Sequence, residues 1–263
     1  MNVLDVGTRG VGKSTLALYQ AKQWGGTTII FDPRGSYRYV GLQCPDVDTL
    51  MQHLETADYV DPKTGEALPL VYHVDADPVA SFDDLCGAIF PPRFEGFQGR
   101  VALIVDESRN LQSPHFISPS LDRVVGQAPI NDVLIIQTTH EIKEWNSKSK
   151  SVMDEMFLFY QKGPANRRLI AEYCGEEVAE IVCDQFRPSS DDDPKKHYLV
   201  RYSYRRMFES REWEVWQDSS VWHSELGQHN RLPGNQEKFD SDEREDDNYG
   251  DDDLRQLREG QAQ

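Results

Sequence analysis

Cysteine is scarce and unpatterned in this chain of 263 residues: Cys44, Cys86, Cys174 and Cys183 stand far apart, with no C-x-x-C pair. Such spacing argues against a thiol-based metal site or a disulfide framework and fits reduced packing residues in a reducing compartment. Long apolar runs are also missing. No stretch approaches the ~20 residues that a membrane-spanning helix needs. No basic and apolar leader stands ahead of Val3, so no secretory signal is expected before the first strand, and a cytoplasmic setting follows. Internal repeats are not evident. Positive charge is in deficit: 28 Lys and Arg face 45 Asp and Glu, for a net charge of −17. An acidic total argues against loose coating of nucleic acid, though not against a basic lining on one face.

The glycine that is present is concentrated where it matters. Residues 7–14 read GTRGVGKS, which satisfies G-x-x-x-x-G-K-[ST]. Val3, Leu4 and Val6 form an apolar stretch ahead of it, and a helix-competent run, 14–24, follows. Strand, glycine loop and helix in that order form the context in which this motif grips phosphate. Glycines let successive backbone N–H groups turn inward around an anion, and the helix N-terminus adds partial positive charge. The loop, from Gly7 through Gly10, Val11 and Gly12 to Thr15, is therefore the candidate nucleotide site. Lys13 is expected on the β- and γ-phosphates and Ser14 on Mg²⁺. Asp5 is out of place, a carboxylate inside a strand that should be buried, and it needs a partner or a solvated sheet end.

Short apolar runs recur along the chain at 3–6, 27–31, 70–74, 101–105, 133–138 and 156–160, with 198–204 as a seventh. Helical segments are expected at 14–24, 46–55, 81–89 and 167–182, the last with a break at Gly175. Strands separated by helix-length segments imply an α/β domain with a mostly parallel sheet and helices on both faces. Residues 61–69, 112–119 and 189–196 read as loops. After Phe208 the pattern weakens, and Trp213, Trp216 and Trp222 among polar residues suggest a small helical appendage. The expected division is an ATPase domain at 1–208, an appendage at 209–234 and a disordered acidic tail at 235–263. Between Asp240 and Asp253 nine acids and one arginine carry −8 of the net charge. That segment has too few apolar anchors to offset its ordering entropy.

A second set of residues completes the nucleotide chemistry. The run VALIVDES places Asp106 and Glu107 at the end of an apolar strand. Asp106 is expected to hold Mg²⁺ and Glu107 to polarise the attacking water. An adjacent carboxylate, and the absence of any N-K-x-D base-reading motif, point to an ATP-hydrolysing machine rather than a switch GTPase. The following strand ends in polar residues. Gln137 and Thr139 share one face and Thr138 takes the other; the sequence leaves open which face senses the γ-phosphate. Phosphoryl transfer also gains from a cation donated across a subunit interface. Arg123 is the first candidate for that finger and Arg109 the second.

Three segments together resemble one lineage: the glycine loop, FDPRGSY after the second strand, and LIVDES followed by R-x-x-G and a strand ending in threonines. The chain resembles the FtsK–HerA superfamily of ring-forming DNA-translocating ATPases. It is most similar to the genome-packaging ATPases of tailless, membrane-containing double-stranded DNA viruses. The later run FLFYQKGPANRRLIAEYCGEEVAEIV is similar to that superfamily too. Where the family closes the sensor strand with T-Q, this chain has Thr138 and Thr139, with Gln137 before them. The resemblance implies a RecA-like (ASCE) P-loop NTPase core and a homo-oligomer, a hexameric ring with ATP sites shared between neighbours. It also implies ATP and Mg²⁺ as cofactors, double-stranded DNA through the pore, and capsid or portal-vertex proteins as further partners, with virion association. The alternatives are a cellular HerA-like DNA-processing motor, a filamentous-phage-type assembly ATPase, a P-loop phosphotransferase, which needs an arginine-bearing lid, and a nucleotide-gated scaffold, which has less need of Glu107.

Two basic segments are candidate DNA contacts. One is the aromatic-interleaved run Lys195, Lys196, His197, Tyr198, Arg201, Tyr202, Tyr204, Arg205 and Arg206. The other is the loop after the sensor strand, with Lys143, Lys148 and Lys150. The acidic tail reads as a solubilising end, or as a mimic of DNA charge that competes for the channel.

Overall fold

Every side chain of β1 (Asn2–Val6) is buried, as a strand covered on both faces requires. A computed structural model describes residues 1–62, 65–74, 77–90, 100–128, 132–205 and 210–217. After β1 come α1 (Lys13–Trp24), β2 (Thr27–Asp32), β3 (Leu42–Cys44), α2 (Val47–Thr56), β4 (Leu70–His73) and α3 (Pro78–Ile89). The middle of the chain forms β5 (Val101–Val105), a hairpin of β6 (Gln112–Ser113) and β7 (Phe116–Ile117), α4 (Pro119–Gln127), β8 (Val133–Thr139) and α5 (Ser147–Ser151). The last third contains β9 (Glu155–Phe159), α6 (Pro164–Cys174), α7 (Glu176–Glu180), β10 (Leu199–Arg205) and β11 (Ser210–Trp216).

Nine strands form one sheet in the order β11-β10-β9-β1-β8-β5-β2-β4-β3. The strands from β9 to β3 are parallel; β10 and β11 add antiparallel at one end. β8 lies between β1, which carries the glycine loop, and β5, which carries the acid pair. This interposed strand is the mark of a RecA-like P-loop NTPase, and the fold is of that class. Side chains alternate across the sheet. Val3, Ile30, Ile104, Ile136 and Phe157 pack under α1 through Leu16, Ala17 and Ala21. Leu4, Val6, Leu103, Val105 and Ile135 pack on the other face against α2, α3, α4, α6 and α7.

Helix starts follow local chemistry. The Asp46, Asp77 and Ser118 side chains accept from the first-turn N–H groups of α2, α3 and α4. The long helix expected at 167–182 is divided at Gly175, and its second part widens into a π-helical turn over Ile181–Gln185.

Several elements differ from the sequence expectation. Strand β3 and helix α4 were not anticipated, and the expected loop at 112–119 contains the β6–β7 hairpin. The expected helical appendage is wrong for 210–216. This segment, SREWEVW, pairs with β10 as an edge strand. Its polar–apolar alternation has the two-residue period of a strand, and β10 offers it an open edge. Trp222, the boundary at 208 and the acidic tail lie outside the described residues. No helix among the described residues is long and apolar enough to cross a membrane.

A candidate nucleotide-hydrolysis site at the strand carboxyl ends

The glycine loop leaves β1 and enters α1 without a side-chain cap. Gly10 and Gly12 adopt φ of 78° and 100°, the left-handed region where a Cβ is disfavoured. With no side chain capping its first turn, the N-terminus of α1 is an arrangement that favours an anion. Gly7 closes the loop from below: its N–H donates to Thr139 O at 3.1 Å. Lys13 Nζ donates to Gly7 O at 2.7 Å and Thr8 O at 3.0 Å, folding its ammonium into the loop. Burial pulls the Lys13 pKa down, while the nearby charges of Glu107 and Asp106 push the other way. An ammonium so desolvated gains from a phosphate counter-charge.

Asp106 and Glu107 lie just beyond β5. The parallel register of β5 and β8 pairs Val105 with Gln137, so the residues that follow, Asp106 and Thr138, are neighbours. Thr138 Oγ1 donates to Asp106 Oδ1 at 2.8 Å and accepts from Glu107 N at 3.1 Å. One hydroxyl thus ties both acids to the sensor strand. Burial raises the Asp106 pKa, opposed by hydrogen bonds from Thr138 and Ser36. Glu107 is a non-glycine residue at φ 49°. Burial pushes its pKa up, but the hydrogen bond and charge of His140, with Arg109 and Arg34, hold it below the ordinary value. Arg109 Nε lies 3.2 Å from Glu107 Oε2 and its NH1 3.6 Å from Glu144 Oε1.

The two faces of the sensor strand meet different partners. Thr138 reaches the acid pair. Gln137 and Thr139 point to the other side of the sheet, where Gln137 Oε1 accepts from Gln112 at 2.6 Å and Thr139 Oγ1 donates to Glu144 at 3.2 Å. Arg109, the second finger candidate, is paired within its own chain with Glu107 and Glu144. Arg123 does not join this cluster; its NH2 donates to Phe90 O at 3.4 Å.

Other residues reach the site that the sequence did not assign to the nucleotide. The Asp32 carboxylate accepts from the N–H groups of Arg34, Ser36 and Tyr37, at 3.3, 2.9 and 2.7 Å, and curls FDPRGSY into a tight turn. That turn brings Ser36 to Asp106 and the buried Tyr37 phenol against Ser14. An aspartate followed by Pro-x-Gly-Ser is a turn signal, but nothing local says which strand it faces. His197 Nδ1 lies 3.0 Å from Val11 O, placing the turn before β10 beside the glycine loop.

The group implied here is a Mg²⁺–nucleotide, and the donor set fits. Ser14 and Asp106 offer one hydroxyl and one carboxylate, and among the described residues no cluster of three or more His, Cys, Asp or Glu is suited to a metal. Mg²⁺ is commonly held by one or two protein ligands together with substrate phosphates.

Fold and site together define a P-loop NTPase with a RecA-like core. The chain shares its fold with the genome packaging NTPase B204 of Sulfolobus turreted icosahedral virus 2 in complex with ATP-gammaS. The TM-score is 0.58 at 18% identity, over 81% of this chain and 95% of that one. B204, the DNA-packaging ATPase of Sulfolobus turreted icosahedral virus, gives a TM-score of 0.58 at 18% identity, over 81% and 96%. No family model and no curated protein matches the sequence. The resemblance to the packaging ATPases of the FtsK–HerA superfamily therefore holds at the level of fold.

Proposed function

We propose that this protein is an ATPase that moves double-stranded DNA, serving as the packaging motor of a virus. The observation that carries the hydrolytic part is the Lys13, Asp106 and Glu107 cluster at the carboxyl ends of strands separated by β8, with Thr138 bonded to both acids; the DNA and viral part is supported by the fold shared with B204. In this reading the loop N–H groups of Gly10 to Thr15 and Lys13 bind the triphosphate. Ser14 and Asp106 hold Mg²⁺, which when bound neutralises charge on the transferring phosphoryl group. Glu107 takes the proton of the attacking water. Phe31 O anchors the backbone of Asp106 at 3.0 Å and keeps the acids at the strand ends.

Phosphoryl transfer of this kind needs more positive charge than one chain's Lys13 supplies. The copies are proposed to assemble as a hexameric ring in which Arg123 of a neighbour reaches the shared site. Several cations expected to touch DNA are spent within the chain. Arg201 is paired with Glu155 at 2.8 Å and Glu214 at 3.1 Å, Lys143 is on Glu141, Lys148 is on Asp122, and Lys150 is buried over Tyr173. Exposed Lys195, on the turn beside the glycine loop, remains the proposed phosphate contact from that run.

The test is ATP turnover with and without duplex DNA in wild type, Lys13→Ala and Glu107→Gln. Wild type should hydrolyse ATP faster with duplex. Lys13→Ala should lose binding or turnover, and Glu107→Gln should bind ATP but turn over about a hundredfold more slowly. Retained hydrolysis in Lys13→Ala would remove the phosphate grip, and near wild-type rates in Glu107→Gln would place the activating group elsewhere.

A further inference from the structure

We infer that His140 is a positioning residue for Glu107, an inference that rests on the hydrolytic reading above. β5 and β8 are parallel neighbours, so the chain just past each strand meets its counterpart: Glu107 is the second residue after β5, and His140 is the first after β8. His140 Nε2 contacts Glu107 Oε1. The backbone of His140 is itself fixed, its carbonyl accepting from Gln161 Nε2 at 3.1 Å. Glu107 stands in the left-handed region at φ 49°. That conformation turns a side chain away from the strand direction and persists only where surroundings hold it.

The two carboxylate oxygens are treated differently. Oε1 is spent on His140. Oε2 is buried beside Arg109 as an ion pair but accepts no hydrogen bond of good geometry, so its accepting capacity is unfilled. A general base needs one such acceptor held steady toward the water it deprotonates. The rival for Oε2 is Arg109, whose Nε lies 3.2 Å away. Glu144 competes for Arg109, and Thr139 Oγ1 in turn steadies Glu144. Without His140, Glu107 is free to rotate onto Arg109 as a two-oxygen ion pair, and the acceptor is lost to the site. Lys13, Asp106 and Arg34 supply the remaining charge around the carboxylate.

The experiment measures ATP turnover and binding of a fluorescent ATP analogue in the full chain, for wild type, His140→Ala, His140→Gln, Glu107→Gln and the His140→Ala/Glu107→Gln pair. Analogue binding within about twofold of wild type, as expected for a group that acts only on the chemical step, also shows that each variant is folded. His140→Ala should lower kcat roughly tenfold, the size of effect expected when a catalytic group is misplaced. Glutamine places an N–H donor at similar reach, so His140→Gln should recover most of the rate. The paired variant should be no slower than Glu107→Gln alone, because His140 acts through Glu107. With wild-type hydrolysis present and sensitive to Glu107→Gln, three results overturn the positioning role alone: an unchanged kcat in His140→Ala, a higher one, or a loss that multiplies with that of Glu107→Gln. A wild-type chain that binds the analogue without hydrolysing ATP, or that ignores Glu107→Gln, overturns the hydrolytic reading and this inference with it.

Discussion

Asp5 lies inside β1 with no solvent exposure, one oxygen accepting from Gln20 Nε2 at 3.0 Å and the other without a partner. Burial pushes its pKa up to about 8; the Gln20 bond and the Lys13 charge only partly offset this. The neutral acid is thus the stable form near neutrality, which answers how a strand tolerates a carboxyl group. The sign of the consequence is clear. A folded-state pKa above the unfolded value means that the folded chain binds the extra proton. Stability from this group is greatest below about pH 4 and falls as pH rises toward 8, by about 1.4 kcal/mol per pH unit. Asp5→Asn should remove that slope. Denaturant melts of both chains from pH 5 to 8 check it: the gap in stability should shift steadily in favour of the variant as pH rises. A gap constant across that range would mean that Asp5 does not stay protonated.

At the scale of elements, the tight joint is the one between α1 and β2. Gly25 and Gly26 both have positive φ, but their surroundings differ. A Cβ on Gly26 would lie 2.1 Å from Arg100 O, whereas one on Gly25 meets nothing within 4 Å. The Arg100 carbonyl also accepts from Thr27 N at 3.0 Å, so it starts the pairing of β2 with β5. Gly25→Ala should cost about 1–3 kcal/mol from backbone strain alone at φ 76°, ψ 173°, and Gly26→Ala should destabilise the chain by clearly more because of the added clash. Thermal melts of the two variants give the comparison, and equal losses would show that the clash is relieved by movement of Arg100. Since β5 carries Asp106 and Glu107, the same joint bears on the site.

For the whole molecule, the issue is whether one copy suffices. Arg109 is committed to Glu107 and Glu144 of its own chain. A further cation for the transition state must come from another copy if the ring reading holds. ATP turnover per chain should then rise with protein concentration, and mass measured with ATP and duplex DNA present should show a multimer near six copies. A single copy under all conditions, with turnover indifferent to duplex, removes the motor and leaves an ATPase fold.

The glycine loop, the acid pair and the main strands were legible because each is a local pattern. Phosphate binding needs backbone conformations that particular glycines permit within a few residues, and a strand buried on both faces shows itself as a continuous apolar run. The break at Gly175 was legible for the same reason. Strand β11 was not, since its two-residue alternation decides nothing until β10 offers an edge to pair with. That Thr138, rather than Gln137 or Thr139, meets Asp106 also lay beyond the sequence. Alternation separates the two faces, but only the placing of β8 beside β5 says which face meets Asp106. Likewise, the proximity of Ser36, Tyr37 and His140 to the site depends on strands distant in sequence becoming neighbours. Local backbone chemistry determined what this chain binds with. Long-range pairing, which no short window encodes, decided which side chains surround it.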